Sequence, residues 1–257
     1  MAWLAIVLLG IVQGVAEFLP ISSSGHITLL QYYFETVPES LSLNIAVHLG
    51  TLCTILVYYR KFLFSLINDF FKGSSPAQKE VLTIVVASLP TAVLGLLFKK
   101  YGEEFLLSPI VAGVGLIFTG FVLISTLWLK KKNGGLRMTL WQAFAIGSIQ
   151  GIAVLPGLSR SGLTIVLALW LGIEKSTAAR FSFLISIPAI LGAGLLEFVS
   201  SEEVLSVHLL FSAGFIAFLV GLGAISLVVW LTQKDRLSFF AYYLWAAGAV
   251  ILLQLAL

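Results

Sequence analysis

Residues 13–26 read Gln-Gly-Val-Ala-Glu-Phe-Leu-Pro-Ile-Ser-Ser-Ser-Gly-His and interrupt an apolar region that covers residues 2–34. A second interruption, Pro-Gly-Leu-Ser-Arg-Ser-Gly-Leu-Thr at residues 156–164, divides the apolar region 139–173. Proline and glycine end helices and permit an irregular backbone. At membrane depth such backbone is tolerated only where it is buried in protein or lines a wet cavity. Both regions are therefore predicted to be re-entrant helix–loop–helix hairpins.

The composition makes lipid, rather than water, the solvent for most of the chain. Of the 257 residues, 59% are hydrophobic and 11% are charged, whereas an ordinary soluble domain has about 25% charged residues. The single cysteine, Cys53, excludes an internal disulfide and a cysteine metal cluster. The chain has no basic stripe, so no nucleic-acid partner is expected.

Six further apolar stretches are long enough, or nearly so, to cross a bilayer as helices. They are residues 43–59, 80–98, 109–129, 180–198, 207–231 and 238–257. With the two hairpins, they predict an all-α polytopic membrane protein. The whole chain, residues 1–257, is expected to form a single transmembrane domain.

The two hairpin regions resemble each other. Residues 13–16 match residues 150–153, which gives a repeat period of about 137 residues. Residues 1–132 and 133–257 then each contain one hairpin followed by three spans. Because three is odd, the second half must be inverted relative to the first. Inverted repeats with broken helices near the midplane commonly build binding sites in membrane proteins.

Positive charges provide an independent prediction of the topology. If the N-terminus lies outside the cytoplasm, the inside loops are residues 60–79, 130–138, 174–180 and 232–237, and they contain twelve of the fourteen Lys and Arg residues outside the hairpins. Only Lys99 and Lys100 fall outside, which agrees with the positive-inside rule. Both termini are therefore expected on the periplasmic or extracellular side. The first hairpin enters from outside and the second from inside, so that their tips meet near the midplane.

Glu17 and Arg160 are the only formal charges well inside the apolar segments. An arginine at the centre of a span costs about 2.5–3.5 kcal/mol on insertion scales, so it indicates either a structural pair with Glu17 or a ligand site. A guanidinium matches phosphate oxygens, and a helix N-terminus favours an anion. The surrounding polar residues favour the ligand site. The expected phosphate-binding residues are Gln13, Ser22, Ser24, Gly157, Ser159, Ser161 and Thr164.

Ser23 and His26 lie in one turn and form a candidate nucleophile and base, because a hydroxyl nucleophile needs an adjacent base. The alternative for these serines is a simple helix break with a capping role. His48 lies on an apolar span and is interpreted as a packing histidine rather than a ligand. The rival class for the whole protein is a transporter or lipid flippase, in which Arg160 would bind an anionic substrate.

The two motifs resemble the signatures of the bacterial undecaprenyl-diphosphate phosphatase family, of the bacitracin-resistance type. Residues 13–26 resemble its first signature and residues 156–164 its second. Length, motif separation and hydropathy agree over essentially the whole chain. The chain has Gln13 where many members have Glu, which leaves one carboxylate fewer for a metal.

The resemblance implies a hydrolase acting on an acid anhydride, which converts undecaprenyl diphosphate to undecaprenyl phosphate and inorganic phosphate. The lipid carrier is thereby recycled for peptidoglycan synthesis, and the activity confers bacitracin resistance. The resemblance also implies interlocked inverted repeats in the bacterial cytoplasmic (inner) membrane and a site that faces the periplasm or cell exterior. Activity would depend on a divalent cation, Mg²⁺ or Ca²⁺.

The resulting hypothesis assigns the catalytic roles to four residues. Ser23 attacks the terminal phosphorus with His26 as base, or His26 is itself the nucleophile. Arg160 clamps the phosphate, and Glu17, with Gln13, holds the metal or orients His26. The expected partners are the polyprenyl diphosphate and membrane lipids. Sequence leaves open the lipid chain length, the flipping of the carrier and the oligomeric state, of which a homodimer is one option.

Overall fold

The computed structural model describes residues 2–33, 40–102, 105, 108–129, 135, 138–200 and 206–256, apart from the side chains of residues 2, 29, 31–33 and 197–200. The regular structure in these residues is helical. The helices are α1 (Ala2–Ala16), α2 (Ser23–Tyr33), α3 (Leu41–Tyr58), α4 (Arg60–Phe71), α5 (Ser75–Tyr101), α6 (Pro109–Ile124, continued by a 3₁₀ turn at Ser125–Trp128), α7 (Leu140–Ile152), α8 (Arg160–Trp170), α9 (Lys175–Ser200), α10 (Val207–Gln233) and α11 (Phe239–Ala256).

Six of these helices are long and apolar enough to cross a membrane, and each overlaps one predicted span. The all-α polytopic class is therefore confirmed. The helices α5 and α9 begin about five residues before the predicted apolar stretches. They continue into polar sequence because favourable N-terminal residues are available there, such as Pro76 in the first turn of α5.

Glu174 stabilises the start of α9 from outside the membrane. Its carboxylate accepts hydrogen bonds from the backbone N–H groups of Ser176 (3.1 Å) and Thr177 (3.0 Å). Partial burial raises the pKa of Glu174, but hydrogen bonds from Ser176 and Thr177 outweigh it, so the pKa lies below its ordinary value. This capping contribution is therefore present near neutral pH and is lost as the pH falls through the lowered pKa.

Both predicted helix–loop–helix breaks occur at the two motifs. The first hairpin is α1 and α2, broken at residues 17–22, and the second is α7 and α8, broken at residues 153–159. Ser22 (φ 70°) and Gly157 (φ 83°) adopt left-handed backbone conformations in these loops. The first turn of α2 approaches the second loop closely, since a β-carbon placed on Gly25 would lie 3.1 Å from the Cα of Gly157.

The first helix of each hairpin packs against a span of the other half: α1 on α10, and α7 on α5. Glycines permit both close approaches. A β-carbon on Gly14 would lie 2.7 Å from the carbonyl oxygen of Ala217, and one on Gly147 would lie 1.9 Å from that of Ala87. Small residues of this kind are the usual way for membrane helices to approach closely. The contacts suit interlocked halves, while the inverted repeat itself stays a prediction.

We expect Gly147→Ala to destabilise the protein because its methyl group would overlap the α5 backbone. Overpacking of this kind costs about 1–3 kcal/mol, so the midpoint of thermal unfolding in detergent should fall. Gly95→Ala is the matched control, since a β-carbon at Gly95 meets no atom within 4 Å. Equal unfolding midpoints for the two variants would contradict the close approach of α7 to α5.

The helix α4 was not predicted, because residues 60–79 were expected to form only an inside loop. Its apolar residues, among them Phe64, Ile67 and Phe71, are exposed on the described structure. They recur at spacings of three and four, on one face of a helix that also begins with Arg60 and Lys61. An amphipathic helix of this composition suits the membrane interface. The periodicity was the signal that could have revealed it.

Candidate active site

A cavity of about 220 Å³ lies where the two hairpin loops meet, and we name it the hairpin cavity. Its lining comes from both hairpins and from α3, α5 and α9. The lining residues are Ala16, Glu17, Ser22, Ser23, Ser24, Ile45, His48, Thr91, Gln150, Ala153, Val154, Leu158, Ser159, Arg160, Ser161, Ser186, Ala189, Ile190, Ala193 and Gly194. The cavity is therefore polar around the loops and becomes apolar along α9.

Glu17 and Arg160 form an ion pair that joins the two hairpins, through Oε1 of Glu17 and Nη2 of Arg160. The Glu17 side chain is 6% exposed and that of Arg160 is 16% exposed. Phe18, which follows Glu17, is fully buried in the largest apolar cluster and anchors this part of the loop. Removing one partner of such a pair would leave an uncompensated buried charge.

The second carboxylate oxygen of Glu17 accepts two further hydrogen bonds. The hydroxyl of Ser23 donates to Oε2 at 2.9 Å, and Nε2 of Gln13 donates to the same atom at 3.0 Å. The Ser23 hydroxyl hydrogen is thus directed at a carboxylate. A hydroxyl held against a base is the arrangement that activates a serine as a nucleophile, and the Glu17 carboxylate occupies that position here.

Two helix N-termini face the hairpin cavity. Ser23 begins α2 and Arg160 begins α8, and the first turn of each helix lines the cavity. The partial positive charge of a helix N-terminus favours an anion. One guanidinium nitrogen of Arg160, Nη1, is buried and has no hydrogen-bond partner in the described residues. The cavity therefore presents several unused donors to an anionic group.

The structure does not bring His26 to Ser23. The Nδ1 atom of His26 lies 2.8 Å from the carbonyl oxygen of Ser22, and its Nε2 lies 2.5 Å from the hydroxyl of Tyr243 on α11. Because a carbonyl only accepts, Nδ1 carries the hydrogen and Nε2 accepts from Tyr243. The two rings also stack, with centroids 5.8 Å apart. The predicted pairing of Ser23 with His26 stays a hypothesis that this conformation does not display.

The predicted phosphate-binding residues divide into two groups. Ser22, Ser24, Ser159 and Ser161 line the hairpin cavity. Gln13, Gly157 and Thr164 lie behind its wall: the carbonyl of Gly157 accepts from Thr119 (3.0 Å), and the hydroxyl of Thr164 lies 2.5 Å from that of Ser182. These contacts support the loop and α8.

His48 belongs to the hairpin cavity, which differs from its interpretation as a packing histidine. Its Nδ1 donates to the carbonyl oxygen of Asn44 (2.8 Å), and its Nε2 lies 4.0 Å from Oε2 of Glu17. Sequence analysis also missed Tyr243, the partner of His26. A histidine in an otherwise apolar span was the available signal for His48, whereas nothing in the sequence singled out Tyr243 among the tyrosines.

The carboxylate of Glu17 is a suitable oxygen ligand for Mg²⁺ or Ca²⁺. Gln13, behind the cavity wall, contacts that carboxylate through Nε2, and its Oε1 atom is buried with no hydrogen-bond partner among the described residues. Among the described residues, no group of three or more His, Cys, Asp or Glu side chains could enclose a metal ion. Since Mg²⁺ is often held by one or two carboxylates together with substrate phosphates, the residues fit an ion shared with a phosphate ligand.

The fold and the hairpin cavity define an all-α polytopic membrane protein with a serine, a carboxylate and a guanidinium assembled between its helices. A family model described as bacitracin resistance protein BacA matches residues 6–250. The chain belongs to that family.

Individual relatives match along nearly the whole chain. An undecaprenyl-diphosphatase 4 of Bacillus cereus is 40% identical over 263 residues, which cover 98% of this chain and 97% of the relative. An undecaprenyl-diphosphatase of Desulfatibacillum aliphaticivorans is 36% identical over 98% of both chains. Another, of Desulfosudis oleivorans, is 40% identical over 96% of both chains.

Proposed function

We propose that this protein is a membrane phosphatase that hydrolyses undecaprenyl diphosphate to undecaprenyl phosphate and inorganic phosphate. The similar proteins that bear the name undecaprenyl-diphosphatase support this substrate. The observation that carries the chemistry is the hydroxyl of Ser23, held by Glu17 beside the guanidinium of Arg160. Such an activity recycles the lipid carrier for peptidoglycan synthesis and opposes bacitracin.

Binding places the terminal phosphate between the two hairpin loops. Arg160 presents its buried Nη1 to the phosphate oxygens, and the N-terminal turns of α2 and α8 add backbone donors. These donors are held in place before the substrate arrives, so they stabilise the charge that develops in the transition state without reorganising. The hydroxyls of Ser24, Ser159 and Ser161 complete the polar wall.

In the first step, Oγ of Ser23 forms a bond to the terminal phosphorus. The bond between that phosphorus and the bridging oxygen breaks, and its electron pair stays on the bridging oxygen of the departing undecaprenyl phosphate. Glu17 accepts the hydroxyl proton of Ser23 along their hydrogen bond. The attacking and leaving oxygens lie roughly in line in such transfers.

In the second step, water attacks the phosphorus of the phosphoserine. The bond from phosphorus to Oγ of Ser23 breaks, Ser23 regains a proton, and inorganic phosphate is released. Arg160 stabilises the charge of this transition state as it does that of the first. Glu17, beside Ser23, returns the proton from the first step to the departing serine oxygen, and the protons of water stay on inorganic phosphate.

A divalent cation, Mg²⁺ or Ca²⁺, would be held by Glu17, with Gln13 as second ligand, and by the diphosphate. When bound, it supplies charge neutralisation and polarises the phosphoryl oxygens. The alternative in which His26 is the nucleophile or the base requires its ring to leave Tyr243. We infer that His26 in the conformation described here orders the Ser22–His26 turn through the Ser22 carbonyl.

The elements that line the outer part of the cavity support one orientation of the site. The N-terminal part of α3, at Ile45, and the C-terminal part of α9, at Gly194, line the cavity. By the positive-inside distribution, both ends lie on the side opposite the basic loops. We infer that the cavity opens to the periplasm or cell exterior of the inner membrane.

A phosphate-release assay in detergent distinguishes a phosphatase from a transporter. Transport requires a membrane between two compartments and releases no phosphate, whereas hydrolysis proceeds in detergent. Purified protein is mixed with undecaprenyl diphosphate, with and without a chelator, and inorganic phosphate is measured. We expect release that stops with chelator and returns when Mg²⁺ or Ca²⁺ is added. A well-folded protein that binds the lipid but releases no phosphate would favour the flippase.

A further inference from the structure

The hairpin cavity continues into an apolar arm along one face of α9, which we define by Ser186, Ala189, Ile190, Ala193 and Gly194. These residues follow each other at spacings of three and one, so they lie on a single helix face. Ile45 of α3 and Val154 of the second hairpin loop form the facing walls. The arm begins at the polar residues of the site and runs outward toward the C-terminal end of α9.

Helix packing does not explain the small residues at the outer end of this arm. A β-carbon placed on Gly194 would meet no described atom within 4 Å, although the residue lines the cavity. Glycines that serve packing in this protein behave differently: a β-carbon on Gly50 would lie 2.1 Å from the carbonyl oxygen of Gly214. The space beside Gly194 is therefore open and belongs to the cavity.

Gln150 forms the polar inner end of the arm, next to the loops of the site. The side chain is 3% exposed, and its Nε2 donates to Thr91 (3.1 Å) and to the carbonyl of Ile185 (3.2 Å). Within the part of the chain that the structure describes, its Oε1 is buried without a hydrogen-bond partner, while the residue lines the hairpin cavity. A buried acceptor of this kind ordinarily finds a donor.

The size of the cavity indicates how much of the substrate it encloses. Sites for drug-sized ligands measure about 300–1,000 Å³, whereas the hairpin cavity measures about 220 Å³. It therefore holds a diphosphate and a short piece of hydrocarbon and not a whole polyprenyl chain. The remaining chain must leave through a wall, and the apolar arm is the part of the wall whose small side chains leave room.

We propose that the apolar arm of α9 binds the isoprene units next to the diphosphate and guides the polyprenyl chain into the bilayer. This assignment rests on the proposed phosphatase function, because the diphosphate must occupy the site at Ser23 and Arg160. The apolar wall of the arm suits branched isoprene units, whose alternative surroundings are the equally apolar lipid tails, so the fit depends on shape. Small side chains at Ala189, Ala193 and Gly194 provide the width that a methyl-branched chain needs.

A second apolar groove, between α3 and α10, is the competing route. It measures about 710 Å³ and is lined by Leu49, Cys53, Phe211 and Phe215 among others. Of the described lining residues, the groove and the hairpin cavity share only Ile45. Helix α3 places His48 in the cavity, whereas it places Leu49 and Cys53 in the groove. The polar site is therefore continuous with the arm, and α3 separates it from the groove.

Three variants distinguish these routes in mixed micelles of fixed composition. Gly194→Leu fills the arm. Gly192→Leu is its matched control, because Gly192 lies two residues away, does not line the cavity and also has open space around its β-carbon position. Cys53→Phe narrows the competing groove. We expect Gly194→Leu to raise the KM for undecaprenyl diphosphate by about tenfold or more with kcat retained, and the other two to keep wild-type KM values.

The outcomes separate the two proposals. A wild-type protein that releases no phosphate overturns the proposed function. Wild-type release combined with an unchanged KM in Gly194→Leu overturns the tail site alone, and a raised KM only in Cys53→Phe assigns the tail to the α3–α10 groove. Retained kcat in Gly194→Leu shows that the variant is folded. If kcat falls as well, Ala193→Ile is measured instead, and an unchanged KM there also overturns the tail site.

Discussion

Arg160→Lys should reduce kcat/KM for phosphate release by about 10²–10³-fold, the loss typical of removing one preorganised donor at a developing charge. Lysine retains the positive charge that Glu17 needs, so the fold is expected to persist. It lacks the planar fork through which arginine contacts Glu17 and, in the proposed mechanism, a phosphate oxygen as well. The variant should therefore lose catalytic activity and not stability, so that the thermal unfolding midpoint in detergent stays nearly unchanged.

Two comparisons make this prediction specific. Arg180→Lys applies the same substitution to an arginine paired with Glu80 at 3.8 Å, outside the hairpin cavity, and should keep most activity. Arg160→Ala should lose stability as well as activity, because it leaves the buried Glu17 unpaired at a cost of about 3–5 kcal/mol. Near wild-type turnover in Arg160→Lys would show that the arginine is only a structural partner of Glu17.

Ser23→Ala should lower kcat by about 10³–10⁶-fold, the range seen when a nucleophilic hydroxyl is removed. The physical reason is that no other hydroxyl among the described residues donates to the carboxylate of Glu17. The measurement is single-turnover phosphate release, which separates the chemical step from the release of the lipid product. Ser24→Ala, one residue along the same turn, should retain activity within about tenfold.

Trapping of the intermediate identifies the nucleophile directly. With substrate labelled in the terminal phosphate, an enzyme quenched during turnover should carry acid-stable label, as phosphoserine does. Label that is acid-labile and persists in Ser23→Ala would assign the attack to His26. That outcome would require the His26 ring to exchange its contact with Tyr243 for one with the substrate.

Much of the architecture could be predicted because it depends on local properties of the chain. Each apolar segment is transferred to lipid independently of the others, so the hydropathy pattern predicted the six candidate spans among the described helices. The two loops were predicted because proline and glycine act on their own backbone. The helix α4 was missed because its apolar face is only half of its surface, and a search for continuous apolar runs does not detect it.

The sequence predicted which residues form the candidate site, but it predicted only some of the contacts between them. Glu17 and Arg160 stood out because a charge in lipid is costly wherever it lies in the sequence, and the structure pairs them. His26 was expected to serve Ser23 because they are three residues apart. Closeness in the sequence does not decide which way a side chain points. His26 forms a hydrogen bond with Tyr243, 217 positions away, and the Ser23 hydroxyl donates to Glu17.

The sequence by itself determined the membrane class, the six spans, the two broken helices and the two buried charges, since each depends on a residue and its immediate neighbours. The tertiary structure alone decided that His48 faces the cavity, that Gly157 and Thr164 lie behind its wall, and that an apolar arm follows α9 outward. These features depend on how helices from distant parts of the chain pack together. Close contacts of backbone and side chain select that packing, and no local pattern of residues specifies it.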